Sequence, residues 1–114
     1  MQVAGKIWGT TQTICQKPLF EVHRIEINAG GVCSMHQHRN KFNAFFVESG
    51  TLQIIVRKNA YELTDVTTLN AGDYCEVPPG EYHKFEAVTN VVAFEYYWSE
   101  LDHNDIVRED HGHS

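Results

Sequence analysis

The sequence predicts an all-β fold, a jelly-roll barrel of about eight short strands, and three observations carry that expectation. Short runs rich in Val, Ile, Phe and Tyr recur along the chain, Gly, Pro, Asn or Asp separate them, and no helical periodicity persists before the last dozen residues. Strands are expected at Phe20–Ile27, Val32–His36, Asn43–Glu48, Thr51–Arg57, Tyr61–Leu69, Tyr74–Val77, His83–Ala87 and Val91–Trp98. Turns fall at Ala29-Gly30-Gly31, Ser49-Gly50, Asn70-Ala71-Gly72-Asp73 and Pro78-Pro79-Gly80, where Gly supplies φ > 0 and Pro fixes φ. Double-sheet closure disposes of the strand edges that such a chain would otherwise expose.

At 114 residues the chain suits one domain, 1–114, with a barrel core over about 18–98 and a polar tail at 99–114 that reads as a short helix or an extended arm. The formal charge of -6 argues against nucleic acid or an anionic membrane as partner, although a local group of Arg and Lys can still receive a small anion. Cys15, Cys33 and Cys75 make an odd count without a C-x-x-C spacing, which points away from a disulfide framework. The first residues hold no apolar leader core, and no apolar run approaches the ~20 residues of a membrane span. A cytoplasmic protein is expected.

His36 and His38 lie two apart in a strand context, so their imidazoles project from one face and make good ligands for a divalent transition metal. Alone, the pair reads equally as a surface pair, because a chain with seven histidines places two at that spacing by chance. The surroundings add more. Gly30, five residues, His36, one residue, His38, four residues, Asn43, six residues and Gly50 form one segment. Gly72, five residues, Pro78, one residue, Gly80, two residues and His83 form another.

These segments resemble the two signature motifs of the cupin superfamily, with every glycine, the proline and all three histidines in register. The resemblance implies a double-stranded β-helix, the cupin jelly-roll barrel, whose lumen holds one divalent metal (Zn, Mn, Fe or Ni) on His36, His38 and His83. Asn43 stands where the family has a glutamate ligand, and Ala87 where it has an asparagine. Asn43 is then a weak fourth ligand, with water completing the set. Glu48 does not substitute, because strand alternation puts it on the face opposite Asn43.

Lys6-Ile7-Trp8-Gly9, Ser34-Met35-His36-Gln37-His38-Arg39, Val77 to Phe85, Glu95 and Asn104 to Asp110 look like one cupin group. That group includes the C-terminal domain of bacterial type II mannose-6-phosphate isomerases. The departure here is His111-Gly112-His113, where the group has Tyr-Gly-Arg. The likeness implies aldose–ketose isomerisation, with the metal as Lewis acid and template and Glu95 as catalytic base in an apolar strand. A structural ion pair of Glu95 with Arg57 or Arg39 is the alternative. Arg39, Lys41 and Arg108 are candidates to bind a sugar phosphate, or else solvated charges; Arg108 with Asp105 and Asp110 reads as a pocket closure or a tail salt bridge. Cys33 and Cys75 read as small buried hydrophobes, with thiol chemistry the sharper alternative. His23, His103, His111 and His113 show no competing ligand spacing.

Three functions follow: a sugar or sugar-phosphate isomerase or epimerase, a non-haem iron dioxygenase with a three-His site, and a binding module that senses a small molecule. The row Val92, Phe94, Tyr96 and Trp98 suggests a further covered surface; the resemblance to cupins, which commonly pair barrel to barrel, implies a homodimer, and completion of the monomer's own core by this row is the alternative.

Overall fold

The structure, a computed structural model, describes residues 3–58, 63–100, 102–109 and 112. Among these, nine strands form: β1 (Val3–Lys6), β2 (Gly9–Lys17), β3 (Phe20–Ile27), β4 (Phe42–Ser49), β5 (Leu52–Lys58), β6 (Leu63–Leu69), β7 (Tyr74–Val77), β8 (Tyr82–Ala87) and β9 (Val91–Trp98). They build a six-stranded sheet in the order β1-β2-β3-β9-β4-β7 facing a three-stranded sheet in the order β6-β5-β8, all antiparallel. The jelly-roll class is as the strand pattern predicts, and β3, β7 and β9 have the expected bounds.

Two elements differ from expectation. The hairpin β1–β2 was not anticipated, because Gly-Thr-Thr-Gln-Thr-Ile-Cys-Gln-Lys carries little apolar alternation; it forms by pairing along the β3 edge from Gly9↔Ile27 to Lys17↔Phe20. Val32–His36 is not a strand but makes two isolated bridges to β8, Val32↔Glu86 and His36↔His83. The break has a local cause. The Phe85 N–H is taken by the Cys33 thiol at 3.2 Å, which interrupts the ladder and lets the register shift by one before His36. Tyr61 and Glu62 of the expected β6, with Asp110, His111 and His113 of the tail, lie outside the described residues. The described tail residues form turns and irregular chain rather than a helix.

The inner faces are segregated along the strands. β3 presents Glu21 and His23, then Ile25 and Ile27; β9 presents Tyr97 and Glu95, then Ala93 and Val91; β4 presents Asn43, then Phe45 and Val47; β8 presents His83, then Phe85 and Ala87. The apolar ends meet as the buried core, joined by Leu52 and Ile54 of β5 and Leu69 of β6. The polar ends all lie at one end of the barrel, and this places the site. On the outer face of the large sheet, Val92, Phe94, Tyr96 and Trp98 remain half-buried, with Trp98 stacked on Phe42 at 5.2 Å. No helix among the described residues is long and apolar enough to cross a membrane.

Two motif glycines separate conformational from steric demand. Gly50 (φ 88°) and Gly72 (φ 90°) share a left-handed backbone, but a Cβ at Gly50 would sit 2.1 Å from the Asn90 carbonyl oxygen, whereas one at Gly72 meets nothing within 4 Å. Gly72→Ala is expected to cost about 1 kcal/mol and Gly50→Ala roughly 3 kcal/mol or more, read from urea unfolding midpoints. Equal losses would contradict the close approach at Gly50.

Candidate metal centre and pocket

Backbone contacts set the three imidazoles before any side chain is considered. His36 donates its N–H to His83 O at 3.0 Å, and His83 returns the bond to His36 O at 2.7 Å. Residues paired in this way project their side chains to one side of the ladder. His38 is pinned from the next turn, where the Gly80 N–H donates to His38 O at 2.8 Å. The resulting ring centroids are 4.5 Å (His36–His83), 5.0 Å (His36–His38) and 5.5 Å (His38–His83) apart. One ring nitrogen from each lies within 4.8 Å of the others, so the cluster can hold a metal ion.

The chemistry of the donors fits such an ion. His36 Nδ1 donates to Ser34 O at 2.7 Å, which leaves Nε2 with its lone pair. His83 Nδ1 faces Glu81 O at 3.0 Å while Nε2 faces Asn43 Oδ1 at 2.9 Å. A neutral imidazole carries one N–H, so one of these contacts sets lone pair against lone pair. Burial holds the His83 pKa below its usual value, which disfavours the imidazolium that would satisfy both. A cation held between His83 Nε2 and Asn43 Oδ1 would resolve the conflict. The Asn43 amide is oriented for this, because its Nδ2 donates to Tyr96 O at 3.2 Å and approaches Glu95 Oε2 at 3.4 Å. His38 Nε2 is buried with no hydrogen-bond partner, a costly state that a metal bond would relieve.

The cluster opens onto a cavity of about 580 Å³ whose walls include His36, Lys41, Glu95, Tyr97, Cys33 and Phe85. Glu95 hydrogen-bonds with Tyr97, and burial pushes its carboxyl above the usual carboxylate range. Burial likewise raises the Tyr97 hydroxyl and the Cys33 thiol, so both stay protonated near neutrality. Lys41 sits over the Tyr97 ring at 4.3 Å. Trp8, from the turn before β2, packs edge-on to Phe85 at 4.9 Å and adds an aromatic wall.

Of the candidate site residues, the structure brings together His36, His38, His83, Asn43 and Glu95, and Lys41 lines the same cavity. Arg39 and Arg108 are exposed, and neither is among the residues that line it. Arg57 stacks on Tyr82 at 4.4 Å, and the hydrogen-bond partners of Glu95 are Tyr97 and Asn43 rather than an arginine. Cys15, Cys33 and Cys75 are free thiols, each partly buried. Glu21, His23, Thr13 and Trp8, none of them a candidate site residue from the sequence, also line the cavity. The Glu-x-His spacing on one strand face was a legible signal for the first two; the placement of Thr13 and Trp8 depends on the unforeseen hairpin.

Acid sensitivity follows from the imidazoles. Burial, with the neighbouring charges of His36, Lys41 and His83, lowers the His38 pKa from 6.5 to about 4. Between those values the unfolded chain binds more protons, so stability present above about pH 6.5 is lost as pH falls, and His83 acts in the same direction. Glu95 opposes them, because a raised carboxyl pKa gives stability at low pH that is lost as pH rises. In chelator-treated protein scanned from about pH 7 to pH 4.5, His38→Gln should flatten the fall in Tm and Glu95→Gln should steepen it. The reverse order would contradict the burial of these groups.

Comparison with known proteins agrees with this architecture. The model of the cupin domain family matches residues 23–100, more than half of the chain. The chain is 30% identical over 79 residues to a mannose-1-phosphate guanylyltransferase of Klebsiella pneumoniae, an alignment covering 69% of this chain and 16% of that protein. It therefore spans less than a fifth of that relative's length. Among solved structures, KdgF from Halomonas sp. superposes with a TM-score of 0.75 at 14% identity, over 90% of this chain and 89% of that one. The capsular polysaccharide assembling protein CapF of Staphylococcus aureus superposes with a TM-score of 0.77 at 19% identity, over 91% of this chain and 30% of that one. With the facing sheets and the three-histidine cluster at the barrel mouth, the family match establishes that this chain belongs to the cupin family.

Proposed function

We propose that this cupin is a metal-dependent enzyme acting on a small hydroxy-carbonyl sugar, with Glu95 as the group that moves a proton between adjacent carbons. The observation that carries the reading is the shared cavity: His36 of the three-imidazole cluster and the Glu95 carboxyl line the same space. A divalent ion bound there, Zn, Mn, Fe or Ni, would supply Lewis acidity. His36, His38 and His83 would hold it, with Asn43 Oδ1 as the weak fourth ligand.

The remaining chemistry belongs to the chain. A carboxyl raised by burial is a stronger base once ionised than an exposed one, and it holds a proton at a pH where an exposed one would have lost it. Tyr97 and the Asn43 amide fix its orientation, and Trp8 and Phe85 keep one wall apolar. Lys41 and Lys6 line the cavity, and either is placed to meet an anionic group of the ligand. The relative named as a mannose-1-phosphate guanylyltransferase and the CapF structure both concern saccharides, which supports a sugar or sugar phosphate as ligand. A second reading, a sensor that binds such a ligand without converting it, draws on the neutral amide at Asn43, which adds no negative charge to the metal site. A homodimer through the half-buried outer aromatic row of β9 belongs to either reading.

Elemental analysis tests the centre. Purified protein should carry close to one divalent ion per chain, His36→Ala should lose about 10–100-fold in metal affinity, and Asn43→Ala about tenfold. Equal metal content in the wild type and His36→Ala would refute the centre. A panel of aldose and ketose phosphates then tests catalysis: Glu95→Gln should keep its metal and lose about 10²–10⁴ in rate. A metal-loaded wild type that binds a panel member, seen as a raised Tm, without interconverting it favours the sensor. Oxygen consumption in the same assay identifies the dioxygenase instead.

A further inference from the structure

The cavity contains a second cluster of polar side chains, on the side facing β2. Glu21 and His23 project two residues apart from the inner face of β3, and His23 Nε2 meets Glu21 Oε2 at 3.0 Å. The other carboxylate oxygen, Oε1, accepts from Gln16 Nε2 at 3.3 Å, so Glu21 is held at both ends. His23 Nδ1 faces the Thr13 hydroxyl at 3.3 Å. Thr13, Glu21 and His23 all line the cavity that Glu95 and His36 line. His23 is also the register partner of Glu95 across β3 and β9, and its ring meets that of Tyr97 edge-on at 5.9 Å.

The arrangement defines the tautomer. The bond to His23 keeps Glu21 below the usual carboxylate range, with Lys41 adding to the effect, so Glu21 is an ionised acceptor. The imidazole Nε2–H is therefore committed to Glu21, and Nδ1 is the nitrogen left to exchange a proton. Its contact with Thr13 is longer than an ordinary hydroxyl hydrogen bond of ~2.8 Å, so a ligand hydroxyl could replace it.

We propose that His23, oriented by Glu21, is a second acid–base group of this cavity, exchanging protons with the oxygens of a bound hydroxy-carbonyl ligand while Glu95 serves its carbon-bound proton. The proposal rests on the reading of Glu95 given above and assigns the half of the proton traffic that Glu95 leaves open. In the first half-reaction the C2–H bond breaks and its proton goes to Glu95. The bonding pair becomes the C1–C2 double bond, the carbonyl pair moves to O1, and O1 takes a proton from the His23 imidazolium. In the second half, neutral His23 removes the proton from O2, the O2 pair forms the new carbonyl, and C1 takes the proton back from Glu95. Both residues return to their starting states, and no oxidant or co-reactant is consumed.

The test uses the full chain loaded with Zn and mannose 6-phosphate in D₂O, following loss of the C2 proton and sugar interconversion by NMR. His23→Gln should lower C2 exchange and interconversion together, about 10²-fold, because His23 acts in the first half-reaction as well, and Glu21→Gln should do the same more weakly, both with unchanged metal content and an unchanged rise in Tm on adding the sugar. No loss of rate in either variant, or a loss that follows lost metal or lost sugar binding, overturns the proposal. A wild type that neither exchanges nor interconverts the sugar removes the isomerase reading instead. His23 is then decided by ¹⁵N NMR of the Zn-loaded wild type titrated with the same sugar: a shifted Nδ1 resonance supports a ligand oxygen there, and an unmoved one overturns the assignment.

Discussion

Two backbone hydrogen bonds between His36 and His83, of 3.0 and 2.7 Å, decide most of what this barrel can do. The segment between β3 and β4 has no continuous ladder, and nothing local would hold His36 and His38 over the barrel mouth. The bridge to β8 supplies that hold at one residue pair, and the Gly80 N–H adds a second fixed point at His38. Two of the imidazoles are then turned by main-chain carbonyls, Ser34 O for His36 and Glu81 O for His83. Orientation by backbone leaves side-chain variation elsewhere in the loop free to alter the pocket without loosening the cluster.

The barrel's stability and its chemistry draw on opposite ends of the same strands. Ile25, Ala93, Phe45 and Phe85 fill the closed end, while Glu21, His23, Glu95, Asn43 and His83 occupy the open one. Because β3 and β4 both run antiparallel to β9, polar residues early in β3 and β4 meet polar residues late in β9. Strand direction thus gathers groups that are distant in sequence, and no single run of residues shows the gathering.

That explains which features were legible beforehand. β9 could be read directly, since its alternation separates Ala93, Glu95 and Tyr97 from Val92, Phe94 and Tyr96. Its wall of the pocket followed from parity alone. His36, His38 and His83 were legible through motif spacing, and Asn43 through its place in the first motif. The hairpin β1–β2 was not legible, because a Thr-rich edge strand buries too little apolar surface to imprint a pattern. His23 pairs with Glu21 through the Glu-x-His spacing of β3, which local sequence does show, whereas its partners Thr13 and Glu95 are set by register with two other strands, which local sequence does not encode. Arg39, next to a histidine in sequence, is exposed and is not among the residues that line the cavity.

Asn43 and Glu95 are best understood together. A glutamate at position 43 would present oxygens alone, and one of them would face the Glu95 carboxylate and the Tyr96 carbonyl that Nδ2 now approaches. Two carboxylates and a carbonyl in that space would repel, and one acid would have to stay protonated. The amide avoids this by being different at its two ends, with Oδ1 toward His83 and Nδ2 toward the Glu95 carboxylate. Asn43 thus serves the histidine cluster and the Glu95 carboxyl at once, an acceptor toward one and a donor toward the other.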